Sequence, residues 1–327
     1  MDYKANSTEL PKVKYLKNSN FFDNIKVDIS KSNNEIDKFL LSKEKKKNYK
    51  KNFLLNRLNF YFDVFLKKSN LLDFLIFNGF RKFWFDEFND YWINCLGGRP
   101  ITFRDFFFLH FNYRISYQTN TRWNWQNSKI HVENWQNSNL ISSLFRNILN
   151  DVNNPNTAVH FRKYIKKESR VLEYGCAIAP AYRTYRRYFT DLNIKFTLLD
   201  IPNITFHFAK WSYYEDSEIE RFLSLQARDF SEPLKSISYN FDAIILHNVF
   251  EHLDHPRKII EYLTKRLNKN GIIFFDYIFS EAKGLDSEGG AKERITTLKF
   301  IKDNYEILEG DFFISDKSLG KVVAKKI

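Results

Sequence analysis

The chain has 327 residues, 43% hydrophobic and 18% aromatic, enough for a substantial core and more than one average domain. Its two cysteines, Cys95 and Cys176, lie far apart and exclude a disulfide framework and a thiolate metal site. The formal charge of +12 is uneven, since residues 1–150 hold 24 Lys+Arg against 14 Asp+Glu while residues 151–327 hold 27 against 25. A basic half of this kind suits nucleic acid, an anionic membrane surface or a phosphorylated small substrate, or reflects Lys-rich codon usage alone. The first 20 residues are polar and Lys-rich, and the most apolar stretch, residues 71–80, is too short to span a bilayer and is broken by Asp73. A soluble cytoplasmic protein is the expectation.

Residues 1–45 read as irregular. Apolar positions Phe53, Leu54, Leu58, Tyr61, Phe62 and Phe65 recur at helical spacing and predict an amphipathic helix over 49–68. A second helix is expected over 71–92, ending at the breakers Gly97, Gly98 and Pro100, and a third over 102–113. A polar-aromatic segment with Trp123, Trp125 and Trp135 follows, then a helix over 140–149 and a linker over 151–156. Beyond it the pattern changes. Short apolar runs at 170–174, 196–200, 241–246 and 271–275 alternate with helical stretches, notably 256–267. Such alternation implies βαβ units and a mostly parallel sheet. A helix near 297–304 and strands near 305–308 and 321–325 close the chain, and the last two strands form a hairpin that places one antiparallel strand in the sheet.

The strongest constellation starts at Val171-Leu-Glu-Tyr-Gly-Cys-Ala-Ile-Ala179, a strand that runs into a turn of small residues. A nucleotide-like ligand has to approach such a turn closely, so its side chains must be small. Asp200 ends the next strand, where an acid can bind the two ribose hydroxyls of an adenosine. Further on stand Asp229-Phe230, then Phe241-Asp-Ala-Ile-Ile-Leu-His-Asn-Val-Phe-Glu-His-Leu253, and Lys269-Asn-Gly-Ile-Ile273 as a turn before a strand.

Taken together, residues 160–280 resemble class I S-adenosylmethionine-dependent methyltransferases. Glu173 and Gly175 match that family's first motif, while Ala177 and Ala179 stand where it usually has glycine. The resemblance implies a doubly wound, seven-stranded, mostly parallel sheet over residues 151–327, preceded by a mainly helical domain over residues 1–150. It also implies binding of S-adenosylmethionine by Glu173, Tyr174, Gly175, Cys176, Ala177, Asp200, Ile201, Asp229, Phe230 and Asn248. The run through Glu251-His252 is similar to the fourth strand and loop of the ubiquinone-type O-methyltransferases. In those relatives an acid-x-x-Glu-His loop can hold a divalent metal. Here Asn248 replaces the first acid, and a hard cation prefers carboxylates, so no metal is expected.

Glu251 and His252 have two readings. His252 is a candidate general base for an acceptor hydroxyl, because imidazole titrates near neutrality; alternatively the pair caps and orients the helix after the fourth strand. Trp123, Trp125 and Trp135 with Arg122 and His131 either line an acceptor pocket or form a packed interdomain loop. The expected reaction is methyl transfer to a small molecule, an anionic or glycosidic metabolite or another with a hydroxyl. RNA is the rival acceptor, carried by the basic half without a recognisable RNA-binding motif. A non-catalytic scaffold is the third reading.

Overall fold

The computed structural model describes residues 87–96, 143–145, 147–148, 158–226, 229–279 and 286–327. Strands β1 (Arg170–Tyr174), β2 (Lys195–Asp200), β3 (Ile219–Ser224), β4 (Phe241–Leu246), β5 (Leu267–Tyr277), β6 (Tyr305–Glu309) and β7 (Leu319–Lys326) form one sheet in the order β3-β2-β1-β4-β5-β7-β6. β3 through β5 pair in parallel, and β7 runs antiparallel to both β5 and β6. The expected doubly wound sheet with one antiparallel strand is therefore present. From β1 the chain winds to β2 and β3 on one side and to β4 and β5 on the other. This reversal opens a crevice at the carboxyl ends of β1 and β4, where open α/β sheets bind ligands.

Helices α1 (Ala158–Tyr164), α2 (Pro180–Tyr188), α3 (Ile204–Tyr213), α4 (Pro256–Arg266), α5 (Glu288–Lys292) and α6 (Arg294–Asn304) cover the sheet. Alternate strand residues face opposite layers. Leu172, Ile244, Leu246, Ile273 and Phe275 pack with Ile260 and Leu263 of α4 and Leu298 and Ile301 of α6. Val171, Phe196, Leu198, Ala243, Ile245 and Phe274 pack with Phe161, Tyr182, Tyr185, Phe206 and Ala209. Burial on both faces explains why β1, β2, β4 and β5 read as continuous apolar runs.

Two elements depart from the sequence expectation. β3 was implied by the seven-strand count but not located, because Ile-Glu-Arg-Phe-Leu-Ser is half polar; it lies at the sheet edge and is only partly buried. β5 begins at Leu267, directly after α4, and the expected turn at 269–271 lies inside it. Its register with β4 jumps from Phe241–Leu267 to Ala243–Ile272, and Asn270 takes φ +60°. The turn signal thus marks a bulge, not a strand boundary.

Of the expected N-terminal helices, residues 87–90 are helical and continue as a π-helix at Tyr91–Cys95, and 143–145 and 147–148 are helical. The helices at 49–68 and 102–113 and the Trp123–Trp135 segment lie outside the described residues. Among the described residues no helix is long and apolar enough to cross a membrane.

Candidate functional site

The turn after β1 is built from alternating left-handed residues: Gly175 at φ +65°, Ala177 at +48° and Ala179 at +59°. All three fall where glycine is favoured, and an alanine there bears about 1–2 kcal/mol of strain. Gly175 has a second reason to lack a side chain. A Cβ there would meet Val249 Cγ2 at 2.6 Å, so the turn lies directly against the loop that follows β4. The Cys176 N–H donates to the Leu199 carbonyl at 3.1 Å, tying the turn to β2. Burial pushes the Cys176 thiol up, which suits a packing residue.

Glu173 is buried, and its carboxylate accepts from the Ala181 and Tyr182 N–H groups at 2.9 and 3.1 Å. These are orphan donors at the start of α2, where the helix dipole also favours an anion. Both oxygens therefore serve to fix α2 behind the turn. Tyr174 is buried in the core beneath it, and burial raises its phenol.

Asp200 closes β2 with a carboxylate that crosses to the turn. Its Oδ2 accepts from the Ala177 N–H at 2.6 Å, and its Oδ1 accepts from the Ile201 N–H at 2.7 Å and from Asn203 Nδ2 at 3.2 Å. Burial raises it to about 6, against the lowering effect of these three bonds. Each carboxylate oxygen still has acceptor capacity beyond these bonds. The left-handed turn and this carboxylate lie together at the carboxyl ends of β1 and β2, and the spare acceptor capacity of the carboxylate fits a ligand carrying adjacent hydroxyls. Ile201, partly buried, packs against the core beside Asp200.

Asp229 lies in the loop between β3 and β4, where it accepts from the Gln226 N–H at 3.3 Å and pairs with Lys235 at 2.6 Å. Phe230 packs against the core next to it. Asn248, exposed and at φ +55°, donates its N–H to Asp276 Oδ1 at 2.7 Å. Asp276, next to last in β5, is buried and is raised to about 6 by that burial.

Glu251 and His252 lie in a 3₁₀ turn, Phe250–His252, between β4 and α4. Glu251 is 1% exposed, and neither carboxylate oxygen has a hydrogen-bond partner among the described residues. Burial raises it to about 8, with further upward pushes from Asp276 and Asp286 and a downward pull from Arg294. His252 Nε2 lies 3.9 Å from Glu251 Oε1 on the more open side of the turn. Among the described residues no group of three or more His, Cys, Asp or Glu side chains is arranged to hold a metal ion.

The geometry thus brings Gly175, Cys176, Ala177, Asp200 and Ile201 together at the carboxyl ends of β1 and β2, with Val249 bringing the Asn248–His252 loop against the turn. It also adds residues that the sequence did not single out. Asn203 caps α3, accepting from the Phe206 N–H at 2.8 Å, while bonding Asp200. Its signal was an Asn two positions ahead of a Thr at a helix start. Asp276 ends an apolar run as Asp200 does, and could have been found by the same rule. Nothing in the sequence points to the contact of Val249 with Gly175.

A family profile described as a methyltransferase domain matches residues 152–324. No curated protein matches the chain in sequence. Among solved structures it is similar to the N-methyltransferase NodS from Bradyrhizobium japonicum WM9, at 16% identity over 53% of this chain and 94% of that one, with a TM-score of 0.38. A putative rRNA-methylase from Clostridium thermocellum gives 13% identity over 52% and 95%, with a TM-score of 0.39. A putative caffeoyl-CoA O-methyltransferase from Staphylococcus aureus gives 17% over 52% and 80%, with a TM-score of 0.37. With the profile spanning more than half of its length and the sheet in the order described, the chain belongs to the methyltransferase-domain family and is an S-adenosylmethionine-dependent methyltransferase of class I.

Proposed function

We propose that this chain methylates a hydroxyl of a small molecule, such as a sugar or another metabolite, using S-adenosylmethionine held between Gly175–Ala179 and Asp200. The observation that carries this reading is the loop after β4. It packs through Val249 against the cofactor turn and brings a buried carboxyl and a more open imidazole to the carboxyl edge of the sheet. When bound, the cofactor supplies an electrophilic methyl group on a sulfonium. Asp200 holds the ribose hydroxyls, and the left-handed turn admits the ligand against its backbone. Asp229 and Phe230 are the proposed adenine side, and Asn248 the side facing the acceptor. His252 takes the proton of the acceptor hydroxyl, and alignment supplies most of the remaining rate, because a thioether is a good leaving group. Glu251, protonated at neutral pH, offers a neutral carboxyl that can donate or accept one hydrogen bond.

The charge balance of the catalytic half supports a small acceptor over RNA. Residues 151–327 hold 27 Lys+Arg against 25 Asp+Glu, a nearly balanced charge. A phosphate backbone binds where cations accumulate, and the charge of this half supplies no such excess. The test compares label transfer from S-adenosylmethionine to a metabolite extract and to total RNA, for the parent and for His252→Ala. Loss of a general base lowers turnover by about 10²–10⁴-fold, with cofactor affinity retained. Label entering RNA alone, insensitive to His252, overturns the small-molecule reading.

A further inference from the structure

Residues 87–96 grip the two helices that carry the cofactor crevice. Glu87 forms a bidentate ion pair with Arg183 of α2, Nη1 to Oε1 at 2.7 Å and Nη2 to Oε2 at 2.8 Å. Arg183 Nη1 also donates to the Tyr213 hydroxyl at the end of α3, at 2.5 Å. The side chains of the pair are 4% and 12% exposed, so the charges are desolvated and geometrically fixed. Four residues on, the Tyr91 hydroxyl bonds His207 Nδ1 at 2.7 Å, and the Tyr91 ring meets Phe208 and Trp211 edge-on. Phe88, Tyr91 and Cys95 are buried with it.

All ten residues of α3 are buried, Lys210 and His207 included, and Tyr91 covers His207, Phe208 and Trp211 among them. The outer helix of a free-standing doubly wound domain keeps a polar face in water. Here that face is covered. The helices held in this way matter for a second reason. α2 follows Ala179 and takes Glu173 on its first amides, and α3 follows Asn203, which is bonded to Asp200. Opposite walls of the crevice are therefore anchored to helices that a single segment ties together.

From this we infer that Glu87 and Tyr91 are positioning residues for the cofactor, setting the spacing between the Gly175–Ala179 turn and Asp200 through α2 and α3. The inference rests on the cofactor reading above. Coupling is reciprocal: if the segment tightens the crevice, filling the crevice tightens the segment.

The experiment uses the full chain, S-adenosylhomocysteine as the probe, and titration calorimetry with hydrogen exchange. In the parent, the probe is expected to slow amide exchange over 87–96. Glu87→Gln should weaken probe binding by about ten-fold, within the usual range of coupling between sites. The KM for S-adenosylmethionine should rise with it, while kcat at saturating cofactor changes little, and Glu87→Asp should recover part of the affinity. A purely structural contact would lower the melting temperature without this split. Should Glu87→Gln not fold, Tyr91→Phe keeps the ring, removes only the hydroxyl, and carries the same comparison. A folded variant that binds the probe as the parent does, with exchange over 87–96 indifferent to the probe, overturns the proposal. A parent that fails to bind the probe overturns the cofactor reading first, and this inference falls with it.

Discussion

Gly175→Ala tests whether the crevice is set by the contact between the turn after β1 and the loop after β4. The perturbation has two parts. At φ +65° an alanine bears about 1–2 kcal/mol of left-handed strain. Its methyl would also lie 2.6 Å from Val249 Cγ2, and overpacking of this kind costs about 1–3 kcal/mol. The single substitution should therefore destabilise the fold by about 2–5 kcal/mol. Val249→Ala deletes the opposing methyl groups and by itself costs roughly 1–3 kcal/mol of burial and cavity. In the double variant the clash is gone and only the backbone strain persists. The pair should thus be less destabilised than the sum of its parts by about 1–3 kcal/mol. Urea unfolding of the four proteins, followed by circular dichroism, measures this coupling, and titration with S-adenosylhomocysteine reads the crevice at the same time. Additivity within about 0.5 kcal/mol would refute the claimed contact.

Asp200→Ala strips the acceptor from the Ala177 and Ile201 N–H groups and from Asn203 Nδ2, at about 1–3 kcal/mol for each buried donor left unpaired. Calorimetry should show a loss of S-adenosylhomocysteine affinity of about ten-fold or more, as expected for charged hydrogen bonds; unchanged affinity in a folded variant removes Asp200 from the site. Ala177→Gly should relieve strain of about 1 kcal/mol at φ +48°, whereas Ala177→Val, branched at Cβ, should weaken both stability and probe binding. Equal binding by the Val variant shows that the turn does not approach the ligand. Glu251 at about 8, with Asp200 and Asp276 at about 6, hold protons more tightly in the folded state than in the unfolded chain, where such groups titrate near about 4. Stability should therefore fall as pH rises, through all three groups between about 4 and 6 and through Glu251 alone among the three between about 6 and 8. Glu251→Gln should flatten the upper part of that decline in thermal melts, and an identical slope in parent and variant shows that Glu251 does not titrate there.

The sequence by itself determined the class of the C-terminal half. β1, β2, β4 and β5 are buried on both faces, so their apolar runs stand out, and the small-residue turn and Asp200 follow from where a ligand meets such a sheet. Positive φ at Ala177 and Gly175 alike is foreshadowed by their place in the motif, because a tight turn of small residues needs left-handed backbone. β3 escaped because an edge strand needs no continuous apolar run, and the turn at 269–271 was misplaced because a bulge and a strand boundary use the same residues. Only the tertiary structure decided the rest. Glu173 binds the first amides of α2, Val249 closes on Gly175, and Glu87 reaches Arg183 across 96 positions. Periodicity reports local geometry and the direction of the core, whereas contacts between distant segments depend on how whole elements pack, and that information is spread over every residue of both surfaces.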